Sequence, residues 1–251
     1  MSGLAQYFLA QRHPVAGYDR TLTPLTAKLM ALGAQITDSE EVSQIPEIFT
    51  NPVHTKVIYT PAIPNDSPLL SFFISAGFSL KKRAEIIGEI SATMPCLAVA
   101  GTHGKTTTTS LLTHLLRTSG KKITAFLGGI AENIGSNFLI EGQEIMVVEA
   151  DEFDRSFMHL SPTALALTSM DADHLDIYGT TDEIEKTFKA FAHKVAPEKR
   201  FIRHGLRVEG NTFGIGEGDY SIVNLRTQHG HYVFDFKTPK TTISNIVLPY
   251  P

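Results

Sequence analysis

The stretch "PCLAVAGTHGKTTTTS", residues 95–110, constrains the fold more than any other. It opens as an unbroken apolar run, the pattern of a strand buried on both faces of a parallel sheet. The chain then turns through Gly101 and Gly104 and runs on past Lys105, Thr106 and Thr107 with the spacing of a helix. Strand, glycine turn and helix together aim backbone N–H groups and a helix N-terminus at one point, where an oxyanion is stabilised. The common phosphate loop reads G-x-x-x-x-G-K-[ST]. Gly104-Lys105-Thr106 fits it, but Val99 stands at the first glycine position and Gly101 comes two residues late. In such a loop Lys105 meets the outer phosphates as a point charge, and the Thr106 hydroxyl is a ligand for Mg²⁺.

The flanking pattern predicts an α/β protein. Before residue 94, helical patterns over 1–12, 22–33, 67–77 and "KKRAEIIGEI" alternate with short strands in "HPVAGYD" and "KVIYTP". That alternation reads as a parallel sheet with covering helices, a Rossmann-like domain over 1–94. After it come the strands 95–101, 122–126, 145–151 and 163–169, with a helix over 105–119 that turns Leu111, Leu112, Leu115 and Leu116 inward. Gly128-Gly129 reads as a loop. Thr180 and Glu183 have capping-box spacing, ahead of a helix that buries Ile184, Phe188, Phe191 and Val195. "SIVNLRTQ" and "HYVFDFK", joined by His229-Gly230, alternate as an antiparallel hairpin. Residues 95–251 thus form a second domain, a P-loop ATPase-type parallel or mixed sheet with helices on both faces.

Bulk properties exclude several classes. A net charge of -4 gives no basic surface for nucleic acid. No apolar run is long enough to insert across a membrane, and the N-terminus is not a signal peptide. The single cysteine, Cys96, rules out an internal disulfide and fits a reducing compartment.

Carboxylates cluster where ligands of open parallel sheets bind, beyond the carboxyl ends of the strands. Glu149 and Asp151 sit at the C-terminal end of the strand at 145–151 and Glu152 and Asp154 just past it, so Glu149 or Asp151 falls near the ion held by Thr106. The next strand leads into "SMDADHLDIYG", which brings Asp171, Asp173, His174 and Asp176 to the same edge. A histidine among carboxylates beside a metal site is a ligand candidate.

Three segments, "GTHGKTTTT", "VVEADEFDRSFMHLSP" and "DADHLDIYG", in this order and spacing resemble the ATP-dependent Mur ligases of bacterial cell-wall synthesis. The shortened loop is that family's own form, G-T-x-G-K-[TS]-T. His103 favours the branch that adds L-alanine to UDP-N-acetylmuramate, or the one that adds a ready-made murein peptide; "DRSFMHLSP" resembles the former more. A non-catalytic nucleotide-binding module is the alternative outside the family's chemistry. The resemblance implies ATP and Mg²⁺ as cofactors, an acyl-phosphate intermediate and a cytoplasmic location. It assigns ATP to Gly101, Thr102, His103, Gly104, Lys105, Thr106 and Thr107, and catalysis to Lys105, Glu149 and His174. Thr106 and Glu149 then hold Mg²⁺, and His174 a second metal. His103, Gly128 and Gly129 face the sugar nucleotide. Asp19 is a candidate contact for the uridine end, with a solvated strand terminus the plain alternative. Ser169 departs from the family, standing where many members carry asparagine. The resemblance further implies that the first strand and glycine-rich turn of the first domain, the end of the second, and a whole C-terminal domain lie outside these 251 residues, which alone have little ligase activity.

Overall fold

The computed structural model describes residues 1–64, 66–171, 178 and 180–249. The N-terminal part is built from short elements. Helix α1 (Ser2–Ala10) leads to strand β1 (Ala16–Tyr18), helix α2 (Pro24–Ala31) and strand β2 (Gln35–Thr37), which pairs in parallel with β1. Thr23 and Thr26 cap the start of α2 reciprocally, each hydroxyl accepting from the other's backbone N–H. This satisfies donors that a helix start leaves without partners. A second parallel pair joins β3 (Lys56–Tyr59) and β4 (Ser79–Lys82) around helix α3 (Pro68–Ser75). "KKRAEIIGEI" is therefore not one helix. Lys81 and Lys82 finish β4, and helix α4 begins at Arg83 and ends at Ser91.

The remaining strands form one ten-stranded sheet. They are β5 (Cys96–Ala100), β6 (Ile123–Ala131), β7 (Ser136–Ile140), β8 (Ile145–Ala150), β9 (Ala164–Leu167), β10 (Arg200–Arg203), β11 (Asn211–Ile215), β12 (Tyr220–Gln228), β13 (His231–Lys237) and β14 (Thr242–Leu248). Their spatial order is β14-β13-β12-β11-β10-β9-β5-β8-β6-β7. The interior from β12 to β6 is parallel; β7 at one edge and β13 and β14 at the other are antiparallel. The hairpin of β12 and β13 turns at His229-Gly230, both with positive φ.

Both faces are covered. On one, Leu4 and Tyr7 of α1, Ile86, Ile87 and Ile90 of α4, and Ile184, Phe188 and Phe191 of α6 (Thr181–Ala192) pack on Ala98, Ala100, Val148 and Leu165. Val195, just beyond α6, is buried with them. On the other face, helix α5 (Lys105–Thr118) lays Leu112 and Leu116 against Ala125, Leu127 and Val147. Only half of the expected leucine face of α5 is inward. Leu111 and Leu115 are 49% and 65% exposed, while Thr109 and Thr113 are buried. Positions 109, 112, 113 and 116 share one helical face, and the sheet lies under that face. Thr109 tolerates burial because its hydroxyl donates to Lys105 O at 2.7 Å.

Gly128 and Gly129 are not a loop: β6 runs through them to Ala131. Its antiparallel register with β7 slips between Phe126 and Ala131, where the glycines weaken the ladder. The Thr180 hydroxyl accepts from Glu183 N at 3.3 Å, but the Glu183 carboxylate accepts from Lys186 at 2.8 Å instead of returning to the cap.

Candidate functional site

Strands β5, β8 and β9 are neighbours and end level with one another, since Ala100 pairs with both Ala150 and Leu167. The residues that follow each strand therefore meet at one sheet edge. After β5 the chain must turn at once, because β9 exits beside it. A Cβ on Gly101 would lie 2.2 Å from Thr168 Oγ1 and 2.7 Å from Ser169 N, and its φ is +137°. Only glycine fits that approach and that backbone angle. Gly104, at φ +78°, is the N-cap of α5 and supplies no side chain to cap it. The first intrahelical bond runs from Thr108 N to Gly104 O. Helix geometry therefore leaves the N–H groups of Lys105, Thr106 and Thr107 without intrahelical acceptors. Space beside Gly104 is open.

Two carboxylates close the site, and they divide the work. The Thr106 hydroxyl donates to Glu149 Oε1 at 2.9 Å, and Gly128 N donates to Glu149 Oε2 at 2.8 Å. Gly129 lies beside Thr106, its Cβ position 3.4 Å from Thr106 Cγ2. Of the two candidates at the end of β8, Glu149 is the one at Thr106; Asp151 instead accepts from Phe153 N at 3.0 Å. Lys105 Nζ donates to Gly101 O at 2.6 Å and to Glu152 Oε1 at 2.8 Å. Glu152 is only 1% exposed. Tyr178 donates to its backbone oxygen at 2.5 Å, and burial, reinforced by the Glu152 carboxylate, pushes the Tyr178 phenol up to about 12.

The loop is braced from β9. Ser169 is buried; its hydroxyl lies 2.9 Å from the Thr102 hydroxyl and accepts from His103 N at 2.7 Å. Thr168 donates to His103 O at 2.6 Å, and Asp171 N donates to Thr102 Oγ1 at 3.1 Å. The departure at Ser169 thus keeps a polar bridge to the loop. His103 points outward, Nε2 3.8 Å from Asp171 Oδ2, and Thr107 is exposed on the first turn of α5. Asp19 follows β1, its carboxylate accepting from Thr21 N at 3.2 Å. His174, Asp173 and Asp176 lie outside the described residues. Among the described residues no three His, Cys, Asp or Glu side chains converge as a metal cluster, and no helix is long and apolar enough to cross a membrane. Sequence reasoning missed Glu152 as the partner of Lys105 and Thr168 as a brace. The acidic run was visible, but which member turns inward depends on the kink after β8, where Asp154 and Arg155 take left-handed φ values of 51° and 54°.

Residues 1–94 match the family description "Mur ligase family, catalytic domain", and residues 99–205 match "Mur ligase middle domain". The chain belongs to the Mur ligase family. It is 50% identical over 254 residues to a UDP-N-acetylmuramate–L-alanine ligase of Christiangramia forsetii, and 45% identical over 253 residues to one of Flavobacterium psychrophilum. Each alignment takes in 100% of this chain and 56% of the relative, so the chain spans little more than half the length of these curated relatives. Among solved structures, the UDP-N-acetylmuramate-alanine ligase MurC of Thermotoga maritima superposes with a TM-score of 0.85 at 23% identity, over 100% of this chain and 58% of that one. A ligase joining UDP-N-acetylmuramate to L-alanyl-gamma-D-glutamyl-meso-diaminopimelate, from Neisseria meningitides, gives 0.84 at 22% identity, over 100% and 84%. These two likenesses establish the Mur ligase fold, an α/β architecture with a large mixed sheet. In Mur ligase terms, the shortened loop is a turn begun by Gly101 against β9 and finished by Gly104 as helix cap.

Proposed function

We propose that this chain carries the sugar-nucleotide-binding and ATP-binding portions of a ligase that joins L-alanine to UDP-N-acetylmuramate. The units would be residues 1–94 for the sugar nucleotide and 95–251 for ATP. The reading rests on one observation: at the edge where β5 and β8 end, Lys105 meets the Glu152 carboxylate while Thr106 and Gly128 meet that of Glu149. The identity of the substrates is taken from the curated relatives.

A carboxylate is a poor acyl donor because its oxygen is a poor leaving group. In the proposed reaction the lactoyl carboxylate oxygen attacks the γ-phosphorus of ATP, and ADP leaves. The alanine amine then attacks the acyl carbon, loses a proton, and phosphate departs. Positioning and charge neutralisation carry such phosphoryl transfer. The uncapped N–H groups at the start of α5 and the open side of Gly104 suit the phosphates. Lys105, held by Gly101 and Glu152, is poised to exchange its carbonyl contact for a phosphate oxygen. Thr106 and Glu149 offer hard oxygens 2.9 Å apart, the donor chemistry Mg²⁺ takes, and would hold the ion with water completing its shell. Bound there, the ion supplies neutralising charge to the phosphates. His174 keeps its proposed part as ligand of a second metal on sequence grounds. His103, Gly128 and Gly129 are proposed to face the sugar nucleotide, and Asp19 its uridine end.

Phosphate release by the natural polypeptide tests this, measured with ATP, Mg²⁺, UDP-N-acetylmuramate and L-alanine and with each left out in turn. Turnover is expected only with all four. Release that ignores the sugar nucleotide or L-alanine would contradict the reading.

A further inference from the structure

A small cavity of about 70 Å³ lies on the α4 side of Glu149, lined by Arg83, Gly128, Glu149, Asp151, Ser156 and Phe157 among others. Neither Lys105 nor Thr106 lines it. It adjoins the phosphate edge but is distinct from it, with the Glu149 carboxylate as the shared wall.

Arg83 is fixed in that cavity by its backbone. It opens α4, and α4 is clamped to the segment that follows β8. A Cβ on Gly88 would lie 2.5 Å from His159 O, so the helix rests directly on that backbone. Ser161 N donates to Ser91 Oγ at 2.9 Å, and Lys82 pairs with Asp154 at 3.3 Å. The guanidinium, by contrast, has no hydrogen-bond or ion-pair acceptor among the described residues. Burial works against its charge and Asp151 supports it from a distance. An arginine stays charged under such pressure and presents a planar fork of donors. A half-buried fork without an acceptor is built for a planar oxyanion that arrives with the ligand.

We propose that Arg83 is the binding residue for the carboxylate of the acceptor substrate, the group to be phosphorylated. The proposal rests on the ligase reading above. The placement of the site's donors selects a carboxylate over a diphosphate. The phosphate donors of the site, Lys105 and the start of α5, lie outside the cavity. A carboxylate seated on Arg83 would reach the Thr106–Glu149 pair from the α4 side, opposite the phosphate loop. The fork would also offset the repulsion between two anions that must meet.

Calorimetric titration of the natural polypeptide and its Arg83→Gln and Arg83→Lys variants tests this. The ligands are UDP-N-acetylmuramate, UDP-N-acetylglucosamine, which is the same nucleotide sugar without the lactoyl carboxylate, and ATP with Mg²⁺. Arg83→Gln is expected to lower affinity for UDP-N-acetylmuramate by roughly tenfold or more. Affinity for UDP-N-acetylglucosamine and ATP should stay within about twofold, and Arg83→Lys should recover part of the loss. Equal loss for both nucleotide sugars, or loss for neither, overturns the assignment, as does a wild type that binds the two sugars equally. A wild type that binds neither sugar overturns the ligase reading itself, and this inference with it.

Discussion

Lys105 is the cation of the phosphate loop and sits against a buried carboxylate. Its ammonium is shared between the Gly101 carbonyl and the buried Glu152 carboxylate, so it is held at the loop mouth before any nucleotide arrives. Lys105→Ala should lower phosphoryl transfer by at least about a hundredfold in the natural polypeptide while the far-ultraviolet circular dichroism stays native. Near-normal rates in that variant would remove the phosphate-loop assignment. Cys96 makes the opposite case of a reactive group kept inert. It is wholly buried in β5, and burial lifts its thiol to about 12, so virtually no thiolate forms at pH 8. Ellman's reagent should label the native protein at pH 8 no faster than it unfolds, and label it fully in denaturant. Rapid native labelling would mean that β5 is not the central strand described.

At the level of elements, the site depends on β6 as much as on the loop. Gly128 is a strand residue whose N–H holds Glu149, and a Cβ there would fall 2.2 Å from the Glu149 carboxylate. Gly128→Ala should therefore behave like Glu149→Ala. Both variants should raise the Mg²⁺ concentration for half-maximal turnover several-fold with the fold intact, and an unchanged metal titration in both would remove Glu149 from the ion site. The sequence made Gly128 and Gly129 look like a loop because paired glycines are turn signals; nothing local announces that a neighbouring carboxylate occupies the missing side-chain volume. Similar limits explain the other misses. Leu111 and Leu115 fit a helical apolar pattern, but which face the sheet covers is a tertiary fact, and it chose Thr109 and Thr113. Strands β2, β7, β10 and β11 are three to five residues long, too short for alternation to speak. The apolar runs of β5, β8 and β9, the hairpin of β12 and β13, and the inward face of α6 were legible because an unbroken apolar run, alternation or helical periodicity carried the signal within each segment.

The whole molecule turns local turns into a site by topology. Order β9-β5-β8-β6 in one parallel run brings four chain reversals to a single edge. Residues far apart in sequence, Gly101, Gly128, Glu149 and Ser169, thereby become neighbours, as ligand sites at the carboxyl ends of parallel strands require. The N-terminal part is joined to that edge through α4, whose packing on the segment after β8 carries Arg83 to within a shared cavity of Glu149. The family's loop motif was readable from contiguous residues. The roles of Arg83, Glu152 and Ser169 needed the sheet order, which no single segment contains. The central claim is that the turn from Gly101 to Thr106 wraps the terminal phosphates of ATP, with a divalent cation on Thr106 and Glu149. Calorimetric titration of this 251-residue chain with ATP, in the presence and absence of Mg²⁺, tests it most directly. The account predicts one ATP per chain, with affinity weakened at least about tenfold when Mg²⁺ is removed; no ATP binding, or binding indifferent to Mg²⁺, would contradict it.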